Sequence, residues 1–200
     1  MKVLRTEILV SSGRFAASSE LRFIHDDIIA SIEKVEWPTG SGNFSINPVD
    51  KGNGVKPIKE RCMNHLESCG WYLEHKMKIV ASASPGKVDA MKYVSNDLGF
   101  VLEWETGNIS SSHRALNKIA VGMLDGCLAG GCLIVPSRSL YRYLTDRIGN
   151  YQELEPYFPL WRSLSSHISN GVLMVVEVEY DSTSDKVPFI PKGTDGRALR

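Results

Sequence analysis

Two strand-forming stretches of this chain constrain its fold more than anything else in it. Gly131–Val135 is a short apolar run bounded by glycine and by Pro136, and Gly171–Tyr180 reads GVLMVVEVEY. A strand with one wet face alternates polar and apolar residues, whereas the first of these runs suits a strand buried in a sheet, and the second reads as a strong strand. The segments around them supply partners. Residues 15–34 carry Leu21, Ile24, Ile28, Ile29 and Ile32 at helical spacing, and a helix from about Pro57 to Ser68 starts with proline and stops at Gly70. Ser110–Asp125 sets Leu116, Ile119, Ala120 and Met123 on one helical face, and 137–146 and 151–162 read as two further helices. Residues 37–56, with their prolines and glycines, read as a loop, Trp71–Val80 alternates loosely, and Ser82–Gly86 is a turn. Val88–Val94 and Gly99–Thr106 read as two strands joined by a turn at Ser95-Asn96-Asp97. Strands alternating with helices predict an α/β domain around a mixed sheet, although element order alone does not fix the topology.

The 200 residues, 42% of them apolar, suffice for one domain with a real core, and no linker divides them. Asp185–Arg200 is different, a polar tail rich in Gly, Pro, Lys and Arg that is expected to be mobile on its own. The 23 basic and 23 acidic residues neither demand nor forbid a nucleic-acid partner, because contact depends on where the cations sit. Cys62, Cys69, Cys127 and Cys132 form no C-x-x-C pair, which predicts free thiols in a reducing compartment. The apolar run Ile8-Leu9-Val10 is too short for a signal peptide, and nothing reaches the length of a membrane span. The expectation is a soluble cytoplasmic protein.

The candidate hairpin carries the chemistry. In Val101-Leu102-Glu103-Trp104-Glu105 the glutamates stand at i and i+2, so a strand points both to one face. Asp89 lies on the preceding strand, giving the pattern D-x13-E-x-E. Clustered carboxylates repel unless a cation neutralises them, and dense hard-oxygen donors suit Mg²⁺. Such a site can activate a water for attack on a phosphodiester. The competing reading is an exposed strand face with solvated acids, and spacing alone does not choose. After Glu105 the chain runs through Thr106-Gly107-Asn108-Ile109-Ser110-Ser111-Ser112-His113-Arg114 from strand to helix. Helix N-termini attract phosphates, and Asn and Arg read adenine and guanine bidentately. Ser110 can equally be the helix cap.

The chain resembles the BamHI family of type II restriction endonucleases in the blocks NGVKPIKE (53–60), EWETGNISSSHRALNK (103–118), YLTDR (143–147), ELEPYF (153–158) and VPFIPKGTDG (187–196), which occur in the family's order. The resemblance implies a PD-(D/E)xK nuclease core, a mixed sheet flanked by helices, in a bacterial enzyme that needs Mg²⁺, with two ions per active site, and no nucleotide cofactor. By position, Asp89 and Glu103 would bind metal, Glu74 would be the remaining acid, and Glu105 would replace the motif's lysine as the base for the attacking water. Asn108, Ser110 and Arg114, with Asp146 and Arg147, match the base-reading positions, and Lys59 a phosphate contact. Identity at these positions implies double-stranded DNA cut at G^GATCC, leaving 5′ overhangs. A palindrome implies a homodimer, with the helix bearing Leu116, Ile119 and Met123 pairing across it beside a helix from 137–162.

One departure concerns Asp195, Gly196 and Arg197, which match a tail that approaches the minor groove. Arg197 replaces an apolar residue there, and the relative continues further, so fewer minor-groove contacts are expected. The other readings are a nuclease with a degenerate GATC-centred site and a non-cutting DNA-binding protein on the same scaffold, which would need a broken acid.

Overall fold

The computed structural model describes residues 1–77, 86–95, 98–145 and 148–192. Strand β1 (Lys2–Ser12) leads through the single turn α1 (Gly13–Ala16) into helix α2 (Ser19–Glu33). A loop containing the short strand β2 (Ser45–Ile46) follows, then helix α3 (Lys56–Ser68), with Pro57 in its first turn. Strands β3 (Tyr72–Met77), β4 (Gly86–Ser95) and β5 (Leu98–Trp104) precede helix α4 (Ile109–Leu124) and strand β6 (Leu128–Pro136). Short helices α5 (Arg138–Tyr143), α6 (Tyr151–Leu154) and α7 (Phe158–Arg162) lead to strands β7 (Gly171–Glu179) and β8 (Ser182–Thr183).

Among the described residues the main sheet has six strands in the order β1-β7-β6-β5-β4-β3. β5, β6 and β7 run parallel, and the flanking pairs are antiparallel. The two apolar runs are the central strands β6 and β7, buried along their whole length. Their side chains alternate between two cores. Cys132, Ile134, Met174 and Val176 meet α2 and α3, while Leu133, Val135, Leu173 and Val175 meet α4, α6 and α7. The two acids in the second run have partners. Arg5 on β1 reaches Glu177 at 2.7 Å, and Ser137 Oγ donates to Glu179 at 2.5 Å. Gly130 is required where β6 nears β7, since a Cβ there would lie 2.0 Å from the Val172 carbonyl oxygen.

Most expected elements are present with shifted ends, and two differ in kind. β1 was not expected as a strand. It is an edge strand whose alternation is broken by irregularities between Val3 and Arg5 and between Ile8 and Val10, so Leu9 and Val10 are both buried. The helix expected over 151–162 is broken into α6, a 3₁₀ turn (Glu155–Tyr157) and α7, because Pro156 and Pro159 each lack the N–H that would continue a helix. The turns expected at 82–86 and 95–97 fall mostly outside the described residues. No helix among the described residues is long and apolar enough to cross a membrane.

Leu116, Ile119 and Met123 point inward and are buried in the chain's own second core, so they do not form an intersubunit face. Leu116→Ala should therefore cost roughly 2–5 kcal/mol of unfolding free energy, read by denaturant titration, as for a core leucine.

Candidate metal-dependent nuclease site

The strand pairing brings the acids together. Ala90 lies opposite Leu102 in the β4–β5 hairpin, which sets Asp89 beside Glu103. Leu73 and His75 on β3 flank Ala90 and Val88 on β4, so Glu74 faces Asp89 from the other side. Glu74 has φ +49, left-handed backbone that is unusual for a residue with a side chain. Asp89 also disturbs the sheet. Its Oδ2 accepts from the Trp104 backbone N–H at 2.8 Å, while Val88 and Ala90 point into opposite cores although they are two residues apart.

Asp89, Glu103 and Glu105 line one cleft of about 450 Å³, together with Lys87, Arg114 and Lys118. Each acid already has partners. The Lys59 ammonium on α3 binds Asp89 and lies 3.8 Å from Glu74, and the Lys118 ammonium on α4 binds Glu103. Lys87 stands 3.4 Å from the exposed Glu74. Glu105, just past the end of β5, is buried; Ser112 Oγ donates to one of its oxygens and the Gly107 backbone N–H to the other, at 2.6 Å for the latter. Burial lifts the Glu103 carboxyl above the usual range, with Lys118 opposing and Asp89 adding to the shift. Burial pushes Glu105 to about 7 against the Ser112 and Gly107 hydrogen bonds. Among the described residues no group of three or more Asp, Glu, His or Cys side chains is arranged to hold a metal ion. The reason is visible in the contacts: carboxylate oxygens face lysines, Ser112 and backbone N–H groups rather than a common point. The donor chemistry still fits a hard divalent cation, because the cleft offers oxygens only and two ammonium groups stand in as the compensating positive charge.

The helix start is organised differently from the sequence expectation. Asn108, not Ser110, is the N-cap of α4, its Oδ1 accepting from the Ser110 and Ser111 N–H groups at 3.0 and 3.3 Å. Ser110 and Arg114 are exposed on the same helix, and Arg114 also lines the cleft. Lys59, expected at a phosphate, sits instead against the acids. Asp146, Arg147, Asp195, Gly196 and Arg197 lie outside the described residues, as does the rest of 193–200. Sequence reasoning passed over Ser112 and Lys118. For Lys118 a signal was present, since Ser111, Arg114 and Lys118 follow one helical stripe facing the cleft, whereas Ser112 is buried on another face of the helix.

The model of the family "Restriction endonuclease BamHI" matches residues 1–197. The chain is 52% identical over 200 residues to the type II restriction enzyme OkrAI of Oceanobacter kriegii, covering 100% of both chains. It is 37% identical over 183 residues to the type II restriction enzyme BamHI of Bacillus amyloliquefaciens, covering 88% of this chain and 83% of that one. Among solved structures, restriction endonuclease BglII complexed with a DNA 16-mer superposes with a TM-score of 0.52 at 10% identity, over 100% of this chain and 97% of that one.

The cap at Asn108 gives a separable test. Asn108→Ala should lower stability by about 1 kcal/mol, whereas Asn108→Asp should hold the helix while removing the amide donor. Thermal unfolding of the two variants distinguishes them.

Proposed function

Because the chain belongs to the BamHI family of restriction endonucleases, a type II enzyme acting on double-stranded DNA, we propose that it is a Mg²⁺-dependent homodimer that cuts G^GATCC, with Asp89, Glu103, Glu105 and Glu74 as its active-site acids. The observation that carries this reading is the cleft in which Asp89, Glu103 and Glu105 meet at the end of the β4–β5 hairpin, directly before the capped start of α4. Asp89 and Glu103 would hold the divalent ion through carboxylate oxygens, with Glu74 at the rim. The bound ion would supply Lewis-acid stabilisation of charge on the scissile phosphate.

The chain's own groups account for the rest. Glu105 takes a proton from the attacking water, and the Ser112 and Gly107 donors fix the direction of its free lone pairs. A carboxyl held near 7 is populated as carboxylate at neutral pH yet basic enough to accept the proton. Lys59 and Lys118 neutralise the acids in the free protein and lie where a phosphate would approach, so each can turn from carboxylate to DNA as the ion takes over its charge. The Asn108 amide is pre-set by its helix, and Arg114 stands on the next turn, with Asp146 and Arg147 completing base reading through donors and acceptors suited to guanine, adenine and cytosine. The tail residues Asp195, Gly196 and Arg197 are assigned to the minor groove.

For the dimer, the outward side of α4 and the α6–α7 segment supply the surface. His113 packs edge-on against Tyr157 with ring centres 4.6 Å apart, and Asn117 and Leu124 on α4 and Leu160 on α7 are exposed. This surface borders the buried stripe of Leu116, Ile119 and Met123 on α4.

Glu103→Ala should abolish cleavage while leaving sequence-specific binding intact, by gel shift and plasmid digestion with and without Mg²⁺; normal cutting by that variant would remove Glu103 from the site. Arg114→Ala should lose about 1–3 kcal/mol of preference for the cognate duplex, whereas Lys59→Ala should weaken all sequences alike and flatten the salt dependence. Sedimentation at micromolar concentration should give a dimer; a monomer with full cleavage would overturn the assembly.

A further inference from the structure

The expected base-reading pair, residues 146 and 147, is flanked by segments that are held from two different places. On the exit side, Gly149 N–H donates to the Gly107 carbonyl at 2.9 Å and Ile148 forms a bridge with Asn108, which ties the chain to the turn after the acids. On the entry side the partner is Asn53, fully buried in the loop that leads into α3. Its backbone N–H donates to the Tyr143 carbonyl at 2.9 Å, and its own carbonyl accepts from the Thr145 N–H at 2.6 Å. Its side chain does more. Nδ2 donates to the Tyr143 carbonyl at 3.1 Å and to the Asn47 carbonyl at 2.9 Å, and Oδ1 accepts from the Ile190 N–H at 3.2 Å. The neighbouring Gly54 N–H donates to the Ile190 carbonyl at 2.8 Å, where a Cβ would lie 1.9 Å from the Pro191 carbonyl oxygen.

We propose that Asn53 is a positioning residue for sequence discrimination, fixing the chain that enters the base-reading segment to the chain that leads into the tail. The proposal rests on the assignment of Asp146 and Arg147 to base contacts. The side chain matches the task, because an amide of this size offers two donors and an acceptor at once and meets three backbone groups from three segments. A bidentate contact to a base edge tolerates little displacement, and supporting hydrogen bonds must hold it within about 0.5 Å. The side-chain hydrogen bonds of Asn53 go to Asn47, Tyr143 and Ile190, and to neither the acids nor Lys59. Losing it therefore shifts what is read and leaves how the bond is cut unchanged. A loop staple without this role would instead lower binding to every sequence together.

The test uses the full chain and compares Asn53→Asp, Thr145→Pro and Arg147→Ala. Asn53→Asp keeps the shape and the acceptor for Ile190 but sets a carboxylate oxygen against two carbonyls. Thr145→Pro removes the N–H that meets the Asn53 carbonyl, at a place where Leu144 is already extended (φ −87, ψ 150), and reads the same clamp if the first variant does not fold. The measurements are kcat/KM on the cognate duplex and on duplexes with one changed base pair, and affinity for a random duplex without divalent metal. The expected result is a cognate preference lowered about tenfold, with random-duplex affinity within about twofold of the unaltered protein. If Arg147→Ala lowers the preference while both clamp variants keep it, or if they lose random-duplex affinity and cognate kcat/KM equally, Asn53 is a staple and the proposal is overturned. If Arg147→Ala itself keeps the preference, the base-reading assignment falls and takes this role of Asn53 with it.

Discussion

Three carboxylates share a half-buried cleft in this protein, and the surrounding structure is arranged around what that costs. The effective penalty for burying an ion is several kcal/mol, so each acid needs a compensating partner in the fold. Lys59 arrives from α3 on one side of the sheet and Lys118 from α4 on the other. Glu105 has no lysine. It is held by a serine hydroxyl and a backbone N–H, and burial raises its carboxyl to about 7 in spite of those two hydrogen bonds. The ion pairs supply provisional positive charge in a place where a divalent cation has suitable oxygen donors, which links charge compensation in the free protein to the chemistry proposed for the loaded one.

The same few residues also join cutting to reading. β5 ends at Trp104, whose backbone N–H is held by Asp89, and only four residues later α4 begins at the Asn108 cap. A Cβ on Gly149 would lie 2.3 Å from Ser112 Oγ and 3.4 Å from a Glu105 oxygen, so the exit from the 143–149 segment rests against the carboxylate expected to act as base. A side chain at 149 would displace that contact. Reading and cutting are thus adjacent because one turn serves both, and the parallel central strands, covered on both faces, make a rigid platform for that turn.

The legible parts of the fold were those where local pattern and tertiary role agree. β6 has no wet face and carries no alternation; α3 is marked by proline at one end and glycine at the other; the D-x13-E-x-E spacing placed Asp89 and Glu103 on one hairpin with Glu105 just beyond it. β1 was illegible because two irregularities break its alternation and its role depends on an edge of β7 distant in sequence. The face of α4 was misjudged for a related reason. Leu116, Ile119 and Met123 are apolar whether they meet another subunit or the chain's own sheet, and periodicity reports a face without naming its partner.

Sequence by itself determined the α/β class, the acidic constellation and, through blocks matching in order, the restriction-endonuclease family, because each of these is written in local spacing or residue identity. Tertiary structure decided which cation compensates which acid, that Asn108 rather than Ser110 caps α4, and that Ser112 and Gly149 meet at Glu105. It also decided that Asn53 joins its own loop to two distant segments, at Tyr143 and Ile190. The lysine pairings, the approach of Gly149 and the Asn53 contacts to Tyr143 and Ile190 depend on distances between residues far apart in sequence, set by how two cores pack against one sheet, and the choice of cap depends on where β5 ends and the chain turns; no local pattern encodes these.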